Sequence, residues 1–236
     1  MNKALYSKLL NRKLIDWIKA KRDGLHSRDI NDKKTLGTED QWTILTDNLN
    51  HPIVYSGGVG KNISFELDLI KKFDALVFAF DPSTTGIQTI ENLPSMANLN
   101  FFPIALSNSD GILQLNYPTN PAEGSFTKEQ LITSQQVKID FPCRKISSLM
   151  NEFGHAKIDI LKLDIEGSEY EVLDNIIDEG IKPGQICVEF HHFFESIPKK
   201  RTTDIMHRLK DTGYILFHKR ELDFSFFHKR IPAGLQ

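Results

Sequence analysis

The sequence predicts an α/β protein built on a mostly parallel sheet, and three observations lead there. Strand-like and helix-like segments alternate along most of the chain, the pattern of parallel strands joined by crossover helices. Residues 158–163 are nearly continuous in apolar side chains, as a central strand covered on both faces requires. A glycine turn, Gly57-Gly58-Val59-Gly60, follows the first strand of the alternation, and an acid, Asp81, closes the second. Ligands of open α/β sheets bind at that edge.

The elements follow in order. Leu10, Leu14, Trp17 and Ile18 fall at helical spacing among Arg12, Lys13, Lys19, Lys21 and Arg22. This predicts an N-terminal amphipathic helix, which we read as docked on its own domain rather than on a membrane surface or a partner. After a polar stretch at 29–38, residues 51–55 read as a strand, 63–72 as a helix, 75–80 as a second strand, 84–93 as a weaker helix and 100–106 as a third strand. Residues 112–117 and 136–141 read as strands around a turn-rich connection at 118–124, either a wall of a pocket or an ordinary hairpin excursion.

Alternation then returns. The strand at 158–163 leads into a helix at 169–179, where Ser168 and Glu171 have capping-box spacing and Val172, Leu173, Ile176 and Ile177 make the apolar stripe. A strand at 185–190 and a helix at 203–210 follow. Residues 214–219 and 224–229 are separated by only a few positions and predict an antiparallel hairpin at the sheet edge. We divide the chain into a helical extension, 1–34, and one α/β domain, 35–236.

Composition narrows the function. With 236 residues, 40% hydrophobic and 25% charged, the chain is long enough for a well-buried core. A formal charge of -2 gives no electrostatic footprint for nucleic acid. No segment has the length of a signal peptide's apolar core or of a membrane span. Cys143 and Cys187 lie far apart in apolar contexts, which suits buried thiols in a reducing compartment and a cytoplasmic location. Oligomeric state is not legible.

Three separate strings carry a family resemblance. They are Leu161-Lys162-Leu163-Asp164-Ile165-Glu166-Gly167-Ser168-Glu169-Tyr170, Ala105-Leu106-Ser107-Asn108-Ser109-Asp110-Gly111, and Ile186-Cys187-Val188-Glu189-Phe190-His191. In this order they resemble the FkbM family of S-adenosylmethionine-dependent methyltransferases, over roughly residues 35 to 220. The resemblance implies a Rossmann-like class I methyltransferase fold, in which a mostly parallel sheet of seven strands has one strand reversed at its edge. It also implies S-adenosyl-L-methionine as cofactor and an oxygen acceptor on a sugar or another small metabolite.

For the cofactor we assign Ser56, Gly58, Gly60 and Asn62 of the loop after the first strand, where the glycines let the backbone turn and approach a ligand and the helix start at Asn62 offers free amides. Asp81 lies 21 positions after Gly60, where an acid can bond ribose hydroxyls. This geometry serves NAD equally, but Ile63 stands where a third glycine would complete the dinucleotide pattern. The commonest FkbM pattern has an acid in the first-strand loop, where this chain has Tyr55 and Ser56; Glu66, one turn past Asn62, is our candidate for that acid, its alternative being a solvated helix face. Ala105 and Leu106 resemble the family positions beside the adenine, or are plain core.

Methyl transfer is an in-line displacement, so the protein aligns the partners, excludes water and removes a proton when the acceptor is a hydroxyl. Asp164, Glu166, Glu189, His191 and His192 fall at neighbouring strand ends. Of these we assign Asp164, Glu189 and His191 to catalysis, with Asp164 also beside the cofactor. We assign no metal ligand, although carboxylates plus imidazole would suit a divalent cation. The same groups would serve as a structural network, because Lys162 in its strand needs an acid, either Glu189 or Asp164. The rival functions are an NAD(P)-dependent oxidoreductase and a noncatalytic cofactor- or partner-binding domain.

Overall fold

The structure, a computed structural model, describes residues 26–47, 49–116, 138–194 and 196–229. Its strands are β1 (Lys33–Leu36), β2 (Trp42–Leu45), β3 (Ile53–Gly57), β4 (Leu76–Phe80), β5 (Leu99–Phe102), β6 (Ala105–Leu106), β7 (Gly111–Asn116), β8 (Lys138–Arg144), β9 (Ile160–Leu163), β10 (Gln185–Glu189), β11 (Tyr214–Arg220) and β12 (Asp223–His228). Its helices are α1 (Ser64–Phe73), α2 (Thr84–Glu91), α3 (Ile146–Phe153), α4 (Glu169–Asp178) and α5 (Lys199–Asp211). The predicted N-terminal helix and the connection at 118–124 lie outside the described residues. No helix among those described is long and apolar enough to cross a membrane.

Strand alternation sorts the apolar residues onto two faces of one sheet. Val54, Val77, Ala79, Ile160 and Cys187 pack to one side with Phe65 and Leu69 of α1. Tyr55, Phe78, Phe80, Leu161 and Val188 pack to the other with residues of α3, α4 and α5. The sheet has seven strands in the order β11-β12-β10-β9-β3-β4-β5. The five strands from β10 to β5 are parallel to their neighbours, while β12 runs antiparallel to both β10 and β11. This is the Rossmann-like class I methyltransferase fold, with one difference from expectation: the reversed strand β12 is inserted beside β10, and the edge itself is β11.

From β3 the chain moves outward to β4 and β5, and from β9 it moves outward the other way to β10. The crevice therefore opens between the carboxyl ends of β3 and β9, the topological switch point where open α/β sheets take ligands. Gly57 pairs with Leu163 across that boundary, and Asp164 N donates to Gly57 O at 3.0 Å.

Three local expectations are corrected. The third strand does not run through 100–106: β5 stops at Phe102, and Ala105–Leu106 joins a separate sheet of order β6-β8-β7. Pro103 has no N–H for the ladder, and Ile104 N turns back to Phe102 O at 2.8 Å. The capping box of Ser168 and Glu171 is not formed. Ser168 has helical φ/ψ of -82° and -13° and its side chain makes no capping bond, whereas an N-cap hydroxyl needs extended backbone to reach the first turn. The polar stretch at 29–38 contains β1, which pairs with β2 in an antiparallel hairpin, so the boundary drawn at residue 34 falls inside a strand. The side chain of Gln185 clasps Leu45 through both its N (2.8 Å) and its O (2.9 Å), fixing the hairpin to β10.

Candidate functional site

The loop after β3 is shaped by Asp81. Its Oδ2 accepts from Val59 N and Gly60 N, both at 2.8 Å, and its Oδ1 accepts from Ser83 N at 2.8 Å. Ser83 in turn caps α2 by accepting from Gly86 N at 2.9 Å. Gly86 is obligatory for this arrangement, since a Cβ there would stand 2.5 Å from the Asp81 carboxyl. Thus an acid expected at a ribose spends three acceptor positions on backbone, and it organises the cradle as well as lining it.

A cavity of about 390 Å³ lies over this loop. Gly58, Gly60, Asn62, Asp81, Ala105, Leu106 and Asp164 all line it, so most of the cofactor-side residues chosen from sequence come together. Ser56 and Glu66 do not. Both are buried, at 0% and 2% exposure, and Ser56 Oγ donates to Glu66 Oε1 at 2.5 Å. Glu66 is therefore neither a wall of the cavity nor on a solvated helix face; it turns inward to β3. The acids that do reach the cavity from this side are Glu39 and Asp40, in the turn between β1 and β2. No sequence signal marks them, because a short hairpin with three of four exposed residues in its first strand shows no apolar alternation. Leu113 and Leu115 of β7 complete an apolar wall with Ala105 and Leu106.

The opposite wall is acidic. Beyond β9, Asp164 faces the cavity, and a turn with Glu166 at φ +51° and Gly167 at φ +100° brings Glu166 beside it. His191 follows β10 and is almost fully buried. Its N and Nδ1 both meet Glu169 Oε1, at 3.0 and 3.2 Å, while Glu169 Oε2 accepts from Gly167 N at 2.8 Å. Nε2 of His191 points to Glu166 Oε2 at 3.4 Å and to Asp164 Oδ1 at 3.8 Å. Burial alone would lower the His191 pKa, but the Glu169 bond and the charges of Glu169, Glu166 and Asp164 outweigh it and raise it to about 9.

Glu189 lies apart from this cluster, on a second cavity of about 370 Å³ that shares Glu39, Asp40 and Asp164 with the first. Burial, with the negative charge of Asp164 adding to it, pushes Glu189 up to about 7. Lys162 is buried as its strand requires, yet Glu189 is not its partner. Its ammonium donates to Gly58 O, stands 3.9 Å from Asp164 Oδ2 and lies over the Trp42 ring at 5.7 Å. His192 turns away to Thr202, with Nδ1 3.2 Å from its hydroxyl.

Residues 48–216 match the methyltransferase FkbM domain. The chain belongs to the FkbM methyltransferase family. Among curated proteins this FkbM chain is similar to "Probable methyltransferase-like protein 24" of Rattus norvegicus, 50% identical over 50 residues that make up 20% of the chain and 14% of that protein. It is similar also to "Methyltransferase sdnD" of Sordaria araneosa, 25% identical over 162 residues covering 55% of the chain and 62% of the relative. The chain thus matches only part of the length of each. Among solved structures it is similar to the fibrillarin/Nop5p complex, with a TM-score of 0.43 at 12% identity over 77% of this chain and 73% of that one. The Methanococcus jannaschii fibrillarin pre-rRNA processing protein gives a TM-score of 0.42 at 12% identity over 86% of both chains.

Proposed function

We propose that the protein is a methyltransferase that uses S-adenosyl-L-methionine, with a hydroxyl of a sugar or another small metabolite as acceptor. The observation that carries this reading is the cavity at the switch point of an FkbM domain, lined by a glycine loop, Asp81 and Asp164. Its walls fit the cofactor's parts. Ala105, Leu106, Leu113 and Leu115 offer an apolar slot for a purine, Asp81 an acceptor for ribose hydroxyls, and Glu39 and Asp40 negative charge for an ammonium group. When bound, the cofactor supplies a methyl group already activated on a sulfonium centre.

The chain's own residues do the rest. Asp164 borders both cavities, so it marks the passage where an acceptor in the second meets a cofactor in the first. Glu189, on the wall of the second cavity, is placed to take the proton of an acceptor hydroxyl. Glu169 holds the His191 ring against Asp164 and Glu166, which fixes the acidic wall before any ligand arrives.

Calorimetric titration of the full chain with S-adenosylhomocysteine and, in parallel, with NAD tests the cofactor. Binding of the first alone is expected; binding of NAD alone would replace this reading with an oxidoreductase. Methyl release from labelled cofactor across a panel of sugars and small alcohols then tests activity, and tight cofactor binding with no turnover on any acceptor would favour a noncatalytic binding domain.

A further inference from the structure

We propose that Asp164, Glu166 and His191 form a divalent metal site, suited to Mn²⁺ or Zn²⁺, at the carboxyl ends of β9 and β10. One ligand atom from each residue lies within 4.8 Å of the others, with His191 Nε2 3.4 Å from Glu166 Oε2 and 3.8 Å from Asp164 Oδ1. Ligands held at about 2.1 Å around a tetrahedral or octahedral ion stand roughly 3.0–3.4 Å apart. The two separations from His191 Nε2 stand at that spacing or a few tenths of an ångström beyond it, and rotation of the two partly exposed carboxylates brings them together around the ion.

The imidazole separates this cluster from an ordinary patch of surface acids. The His191 side chain is 3% exposed, and its Nε2 lies outside the usual hydrogen-bond range, roughly 2.7–3.2 Å, from either carboxylate. Its other nitrogen is tied to Glu169, whose side chain is 0% exposed, and Phe194 stacks on the ring with centroids 5.6 Å apart and planes at 13°. A buried carboxylate behind the remote nitrogen is the arrangement that orients metal-bound histidines and fixes their tautomer. Glu169 does a second thing: by accepting from Gly167 N it holds the turn that carries Glu166. One buried side chain thereby aligns two of the three ligands.

The site is closed behind and open in front. Asp164 and Glu166 are about a quarter exposed, at 27% and 26%, and both line the larger cavity. Three protein ligands with open positions toward a cavity describe a catalytic rather than a structural metal centre. One imidazole with two carboxylates favours Mn²⁺ or Zn²⁺ over Mg²⁺ and Ca²⁺, which prefer oxygen alone. An ion here would hold an acceptor oxygen and lower its pKa. The binding assignment itself rests on the side chains and not on the transfer reaction.

The test is a Mn²⁺ titration of the full chain read by electron paramagnetic resonance, with pulsed detection of nitrogen coupling from a bound imidazole. One site with histidine coupling is expected in the wild type, with Zn²⁺ competing for it. His191→Ala should abolish the coupling, and Glu169→Gln should weaken binding by roughly 10- to 100-fold. Should His191→Ala fail to fold, the wild-type nitrogen signal still decides. Absence of saturable binding, or binding without nitrogen coupling, would overturn the site. S-adenosylhomocysteine titrated in the presence of a chelator reports separately on the cofactor pocket.

Discussion

Gly58 and Asp164 meet backbone to backbone: a Cβ on Gly58 would stand 1.9 Å from the Asp164 carbonyl oxygen. The glycine is thus required by the join between β3 and β9, and not by the approach of a ligand alone. With φ at +84°, Gly58→Ala adds strain to collision and should cost about 2–5 kcal/mol. Gly60 shares the positive φ, at +54°, but a Cβ there meets nothing within 4 Å, so Gly60→Ala should cost only about 1–2 kcal/mol. Urea midpoints of the two variants check the order, and equal losses would dissolve the distinction.

Asp81 should behave as a structural residue and a binding residue at once. Asp81→Ala removes the acceptor of three backbone amides, and losing even one bond to a charged group costs roughly 1.5–3 kcal/mol. We expect lower stability in the ligand-free protein together with weaker S-adenosylhomocysteine binding. A variant that lost affinity at wild-type stability would show that the loop holds its shape without the carboxylate.

Ser56→Ala should leave Glu66 buried without its hydroxyl donor. Stability should fall by about 1–3 kcal/mol. Because neither side chain lines the cavity, cofactor affinity in the folded variant should stay within a factor of two or so of wild type. A large affinity loss in thermally stable protein would place Glu66 in the binding site after all.

His155 gives stability a pH dependence with a definite sign. Its Nδ1 lies 2.8 Å from the buried Tyr55 hydroxyl, and burial lowers its pKa below the usual 6.5. The folded state therefore holds fewer protons than the unfolded state below that pH, so this contribution is complete above about 6.5 and is lost as pH falls. His155→Gln should show a shallower decline of melting temperature between neutral and mildly acidic pH. A decline as steep as that of wild type would assign the effect to other groups.

Much of the sheet was legible because its central strands are apolar on both faces and its helices carry stripes at helical spacing; β9 and α4 lie within a residue or two of expectation. What escaped was set by contacts between distant positions. β1 shows three exposed residues in four and gains its place by pairing with β2. α3 is a short helix that went unread, although Ile146 and Leu149 are buried in the core. Glu169 looks in sequence like any acid in a first helical turn, yet it bonds His191, 22 positions away, and no local spacing announces that. Glu66 was noticed as an acid, but which way it faces depends on Ser56 in the neighbouring strand.

The insertion of β12 beside β10 also sets an order of events during synthesis. Glu189 pairs with Asp223, and Gln185 with Phe227, so the outer edge of β10 stays open as a nascent chain emerges, until residues 223–228 have been made. Until then β10 presents unpaired backbone to any other strand in reach. The closing contact spans more than thirty residues and must wait for α5 and β11 to form or be bypassed, so β12 is the last strand to join the sheet in chain order. The second cavity, walled in part by residues 220–223, would thus be the last part of the site to close, and a ribosome stalled before residue 223 would carry a nearly finished sheet with an adhesive edge.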